Sequence, residues 1–162
     1  MKRRQALGLL GVTMVTGVGP SVRDQFVGAY TLVTYQRRAA NGQVTDVYGP
    51  NPVGRISYDA AGHVWALLTR PGRQPAKDPR APTLEEYREI QSGLVAYFGT
   101  FDVDESSRTV THHIEVALNP AWVGTDFVRK YELSGNRLTL TIEGSTPSTL
   151  VWERLPVPRK RL

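Results

Sequence analysis

The sequence predicts an all-β protein: a single eight-stranded antiparallel up-and-down β-barrel with one short helix. Three observations predict it. From Tyr30 onward the chain is filled by eight short runs rich in β-branched and aromatic residues. Several links between them are short polar turns, which suit antiparallel neighbours because parallel pairs need long crossovers. Eight consecutive antiparallel strands also leave two unpaired edges, and closing the sheet on itself removes both.

The chain begins with a segment that does not belong to that sheet. Lys2, Arg3 and Arg4 precede an apolar stretch from Ala6 to Val18, and small residues follow up to Pro20. That is the three-part layout of an export signal. Arg3-Arg4 ahead of Leu7-Gly8-Leu9-Leu10-Gly11 resembles a twin-arginine signal, with Ala6 where such signals usually carry phenylalanine. The stretch is too short and too rich in glycine to span a bilayer, which needs about 20 residues, so no integral membrane segment is expected. Residues 1–22 are assigned to export, 23–157 to the barrel and 158–162 to a basic tail. The expected location is the periplasm or the cell exterior; the competing reading is a basic tail on a cytoplasmic protein.

The eight runs are Tyr30–Arg38, Val53–Asp59, His63–Arg70, Leu94–Asp104, Thr109–Leu118, Asp126–Ser134, Arg137–Glu143 and Ser148–Leu155. Asn41-Gly42 is a hairpin dipeptide. Asp59–Gly62, Asp104–Arg108 and Ser134–Asn136 are polar connections of hairpin length. Pro71–Pro82 carries four prolines and reads as a loop. Thr83 then opens a helix to about Ser92, with Glu86 completing a capping box and Gly93 stopping it. This helix is expected to cover an end or side of the barrel.

Alternation along each strand separates the two faces. Phe127, Arg129, Tyr131 and Leu133 form the better inner row of their strand, which carries Arg129 inside. Val110, His112, Ile114, Val116 and Leu118 form another inner row, so His112 points inward and His113 outward. Leu138, Leu140 and Ile142 share an inner face, and Leu150 and Trp152 alternate with Val151 and Glu153.

Composition removes several functions. With 40% hydrophobic and 22% charged residues, the 162-residue chain is globular and holds one domain. The absence of cysteine excludes disulfides, thiolate metal sites and cysteine catalysis. Six basic residues of the two termini exceed the net charge of +5, so the body is near neutral and carries no basic stripe for nucleic acid. There is no glycine-rich phosphate loop and no serine nucleophile motif. His112, His113 and Glu115 invite a metal, but adjacent strand residues face opposite ways and cannot easily share one ion. No metal and no cofactor are therefore expected.

The inward residues point to a small hydrophobic ligand. Tyr97, Phe101, Trp122, Phe127, Tyr131 and Trp152, with Trp65, can line an apolar pocket, or they can fill a core. Trp122, in Asn119-Pro120-Ala121-Trp122, is placed to flank a cavity mouth. Arg129 needs a partner, because an unpaired buried charge is costly; a protein carboxylate or a ligand's carboxylate or phenolate would serve. His112 is the candidate for proton transfer, beside Arg129 and Tyr131.

Four ordered segments resemble one family: YGPNPVGRISY (Tyr48–Tyr58), YFGTFDV (Tyr97–Val103), TVTHHIEVALNPAWVGT (Thr109–Thr125) and LVWER (Leu150–Arg154). Together they resemble the bacterial and fungal lipocalin-like domain family over about Gln25–Leu155. Gly28-Ala29-Tyr30 is similar to the Gly-x-Trp start of lipocalins, with Tyr30 replacing tryptophan, so the usual tryptophan–arginine stack is not expected in that form. The resemblance implies a calycin-type barrel with an internal cavity and says little about chemistry. Binding of a small hydrophobic or aromatic molecule is the leading expectation. An isomerase or cyclase acting on a polyketide-like substrate through cavity His, Arg and Tyr residues is the alternative, and a packed barrel with a purely structural role is the third.

Overall fold

The computed structural model describes Gly19 and residues 21–156, so nearly all of the expected export segment and all of the basic tail lie outside the described residues. Helix α1 (Val22–Phe26) leads into β1 (Gly28–Arg38), β2 (Val44–Asp46), β3 (Val53–Tyr58) and β4 (His63–Thr69). Helix α2 (Leu84–Ser92) precedes β5 (Leu94–Asp104) and β6 (Thr109–Ala117). A 3₁₀ turn (Pro120–Trp122) precedes β7 (Asp126–Ser134), β8 (Arg137–Ile142) and β9 (Ser148–Arg154).

The strands pair antiparallel in the order β2-β1-β3-β4-β5-β6-β7-β8-β9, and β9 returns to β1. That seam runs from Tyr30 opposite Arg154 to Arg37 opposite Ser148. Eight strands therefore close into a barrel, and β2 is an extra strand on the far half of β1. All eight expected runs become strands with ends shifted by two residues or fewer. Asn41-Gly42 makes the β1–β2 turn, with Gly42 in the left-handed region at φ 85°. Thr83 caps α2, and its hydroxyl and the Glu86 carboxylate exchange bonds with each other's backbone N–H at 3.2 and 2.8 Å. Unlike a helix that lies flat on a core, α2 buries none of its side chains. Arg70 to Glu89 and Arg73 to the Ile90 carbonyl tie it to the barrel.

One expectation fails at a bulge. Val116 and Leu118 do not continue the inner row of β6; both are exposed. Phe98 pairs with Val116 but the next residue, Gly99, pairs with Ile114, so Glu115 is the extra residue and the alternation slips by one. Gly99 makes this possible: a Cβ there would run into the His113 carbonyl. The freed β6 backbone binds the β6–β7 connection instead, with Ile114 N–H donating to Thr125 O at 3.0 Å and Gly124 N–H to Ile114 O at 2.8 Å. The bulge thus fixes the loop that carries Trp122.

The end nearest α1 is packed solid. Phe26 meets Tyr58, Tyr131 and Phe101 with ring centroids 5.2, 5.0 and 6.2 Å away. Tyr58 and Phe101 lie 4.9 Å apart. Arg154 lies over Tyr30 with its guanidinium carbon 4.6 Å from the ring centroid, so the aromatic–arginine stack is present with tyrosine in the tryptophan's place. The same guanidinium donates to the carbonyls of Val27 and Gln25 and to Tyr30 Oη. Gly28, at φ 144°, leaves the room it needs.

Candidate functional site

The other half of the barrel is hollow. A cavity of about 300 Å³ is lined by residues of β1, β3, β4, β5, β7, β8, β9 and the Trp122 loop. Its floor is buried: Ile56, Leu68, Tyr97, Leu140, Leu150 and Trp152. Its rim is half-buried: Tyr35, Val95, Trp122, Phe127, Arg129 and Ile142. The burial gradient gives the cavity one open end. A second hollow outside it, between α2 and the 3₁₀ turn, shares Val95 and Trp122 with the cavity.

Strand alternation and loop placement bring these side chains together. Trp122 and Phe127 meet edge to face at 5.4 Å, and Phe127 meets Tyr97 at 5.4 Å. Arg129, two residues along β7 from Phe127, lays its guanidinium 4.9 Å from the centre of that ring. It donates to the Val128 carbonyl at 3.3 Å, and it lies close enough to the Tyr97 hydroxyl to favour the ionised phenol.

Behind Tyr97 lies a buried polar chain. His112 Nδ1 is 2.9 Å from Tyr97 Oη, and His112 Nε2 is 2.9 Å from Tyr58 Oη. A neutral imidazole has one N–H and one bare nitrogen, so one tyrosine donates to it and the other accepts. Burial holds His112 well below the ordinary histidine value, and the charges of Arg129 and His113 add to this. Burial likewise raises the phenols of Tyr97 and Tyr58, with Arg129 pulling both the other way. All three groups are therefore neutral near pH 7.

Five of the eight sequence-selected residues line the cavity: Tyr97, Trp122, Phe127, Arg129 and Trp152. Phe101 and Tyr131 point inward as expected but belong to the packing around Phe26 at the closed end. His112 is buried and inward yet stands one residue back from the cavity wall, reaching it through Tyr97. Trp65 differs outright: it sits on the outer surface of β4, 49% exposed. Alternation from Leu68, the cavity residue of that strand, puts Ala66 and Val64 inside and Trp65 out. Sequence reasoning did not single out Tyr35, Ile56 or Tyr58. The last two share a face of β3 with Gly54, and that spacing is the signal that finds them.

His113 faces outward, as alternation requires. Its Nδ1 and Nε2 meet Asp126 at 2.7 Å and Asp102 at 3.1 Å. With each ring nitrogen on a separate carboxylate, the imidazole bridges two strands as a clamp. Among the described residues no three His, Asp or Glu side chains are grouped to hold a metal ion, and no helix is long and apolar enough to cross a membrane.

Arranged this way, the site offers an apolar chamber with one fixed positive charge and a neutral phenol. It can hold a small molecule and orient one polar end. Among known families, the model of the lipocalin-like domain matches residues 27–155. No curated protein matches the chain.

Proposed function

Because the chain belongs to the lipocalin-like domain family, we propose that it binds a small hydrophobic or aromatic molecule inside the open half of its barrel. The observation that carries this reading is the cavity itself. Its volume of about 300 Å³ stands at the lower end of small-molecule sites, and its lining is mostly aliphatic and aromatic. The sealed floor and half-buried rim supply a way in and a place to stop.

Native mass spectrometry of the protein purified from its own host tests the reading. The expected result is a bound apolar mass in the natural protein and none in Leu140→Trp, which fills the floor. Bare natural protein that also fails to bind an uncharged naphthylamine dye would overturn it.

A second reading, an isomerase or cyclase on a polyketide-like substrate, draws on one contact. Tyr97 borders the cavity and its hydroxyl meets His112, so a proton delivered at Tyr97 has a buried acceptor behind it. Turnover lost in His112→Gln while ligand still binds would favour it. The location outside the cytoplasm rests on Lys2–Arg4 ahead of the apolar stretch Ala6–Val18, and fractionation of host cells checks it.

A further inference from the structure

Arg129 stands apart from the other cavity residues because no side chain of the described residues gives it a counter-charge. Its side chain lies on the inner row of β7 between Phe127 and Tyr131 and lines the cavity. No carboxylate of the described residues forms an ion pair with it. The sequence outside those residues contains no Asp or Glu. The cavity lining itself holds no acidic side chain, so the chamber has a formal charge of +1. Arginine cannot shed that charge, and the groups its planar fork of five N–H donors meets, the Val128 carbonyl and the nearby Tyr97 hydroxyl, are both uncharged. Half-buried at the rim, the guanidinium faces the apolar chamber with no opposite charge beside it. Arg154 shows the contrast within the same fold: three oxygens accept from its guanidinium.

A further unmet donor lies in the same wall. The indole Nε1 of Trp152, whose side chain lines the cavity, has no hydrogen-bond partner among the described residues. The site therefore has donors in excess and no negatively charged acceptor.

We propose that the molecule held by this barrel is an apolar monocarboxylate, with its anion on Arg129 and its apolar body among Phe127, Trp122 and Trp152. The proposal rests on the binding reading above and adds the chemical class of the ligand. A carboxylate that also accepts from Tyr97 sets the direction of the buried polar chain. For Tyr97 to donate its proton to the carboxylate, its oxygen must accept from His112 Nδ1–H. His112 Nε2 then accepts from Tyr58 O–H. The two histidine bonds at 2.9 Å permit this arrangement. The volume of the cavity, about 300 Å³, suits a ligand of roughly 10 to 15 non-hydrogen atoms.

Calorimetric titration with 4-phenylbutyrate and 4-phenylbutan-1-ol tests the class, since the two differ in the head group on a common body. The carboxylate is expected to bind at least tenfold more tightly than the alcohol at pH 7.5. In Arg129→Met the ratio of the two affinities falls to about one. In Arg129→Lys, which keeps the charge and loses the fork, it falls partway. Near-UV circular dichroism of each variant confirms that the barrel remains folded. Nitrogen NMR of His112 with the carboxylate bound is expected to show the proton on Nδ1. If the alcohol binds as well as the carboxylate, or if Arg129→Met keeps the preference, this proposal is overturned and the apolar-ligand reading survives. If neither compound binds, nor the uncharged dye, both are overturned.

Discussion

The two ends of the barrel are built from the same inner rows of side chains and finish in opposite states. At the closed end, Phe26 from α1 fills the space between Tyr58, Phe101 and Tyr131, and Arg154 fastens the entry of the chain over Tyr30. At the open end no helix side chain enters. No side chain of α2 is fully buried, and the Trp122 loop reaches only the rim. The difference teaches that the barrel wall does not decide whether its interior is filled. The decision lies with the short segments outside the wall: α1 contributes a plug, while the bulge at Gly99 contributes an edge.

The contrast can be broken first at the plug. Phe26→Ala removes a fully buried ring from an aromatic cluster and should cost about 3–5 kcal/mol. Urea unfolding measures it; a cost below about 1 kcal/mol would mean that the closed end collapses around the loss. Gly99→Ala tests the fixing of the open end. Its methyl group meets a backbone carbonyl that has nowhere to go, and overpacking of this kind costs about 1–3 kcal/mol. It should also shift the environment of Trp122, read as a change in tryptophan fluorescence.

Smaller effects come from the two adjacent histidines. Folding holds the pKa of His112 below its ordinary value of 6.5, so the unfolded chain takes up a proton that the folded one refuses. Its effect is a loss of stability as the pH falls below about 6.5. His113 has the opposite sign. Its hydrogen bond to Asp126, then that to Asp102, raises its pKa, so its contribution is full below 6.5 and fades as the pH rises through the raised value. Urea midpoints between pH 5 and 8 should flatten on the acid side in His112→Gln and on the alkaline side in His113→Gln. The opposite assignment would contradict the placement of the two rings. The smallest stability change is expected for Trp122→Ala, under about 1 kcal/mol, because the ring is half-buried at the rim. Its effect should fall on ligand dissociation instead, measured by stopped-flow fluorescence of a bound dye.

Much of this fold was legible from residue spacing. The alternation in Asp126–Ser134 identifies the inner row of β7, and with it Arg129. Thr83 and Glu86 marked the start of α2 to the residue. What escaped has a physical reason in each case. β2 is three residues long with every side chain exposed, so it has no burial pattern to read. α1 carries a capping box of its own, Ser21 with Asp24, but it begins at the very edge of the segment assigned to export. The slip at Glu115 depends on which residue faces Gly99 across the sheet, and a single strand's periodicity holds no information about its neighbour. For the same reason, spacing places Tyr131 inside, and aromatic character makes Phe101 a pocket candidate, without revealing that both pack at the plugged end and not around the chamber. Height along a barrel is set by the stagger of its strands.

The seam between β1 and β9 has a consequence for how this molecule comes into being. Gly28–Arg38 is among the first parts of the barrel to be synthesised and Ser148–Arg154 among the last, yet they lie side by side. Until the ribosome has released the final strand, the growing sheet carries two bare margins able to recruit strangers. The ring cannot be completed before β9 is made, and only then does the chamber acquire all of its walls.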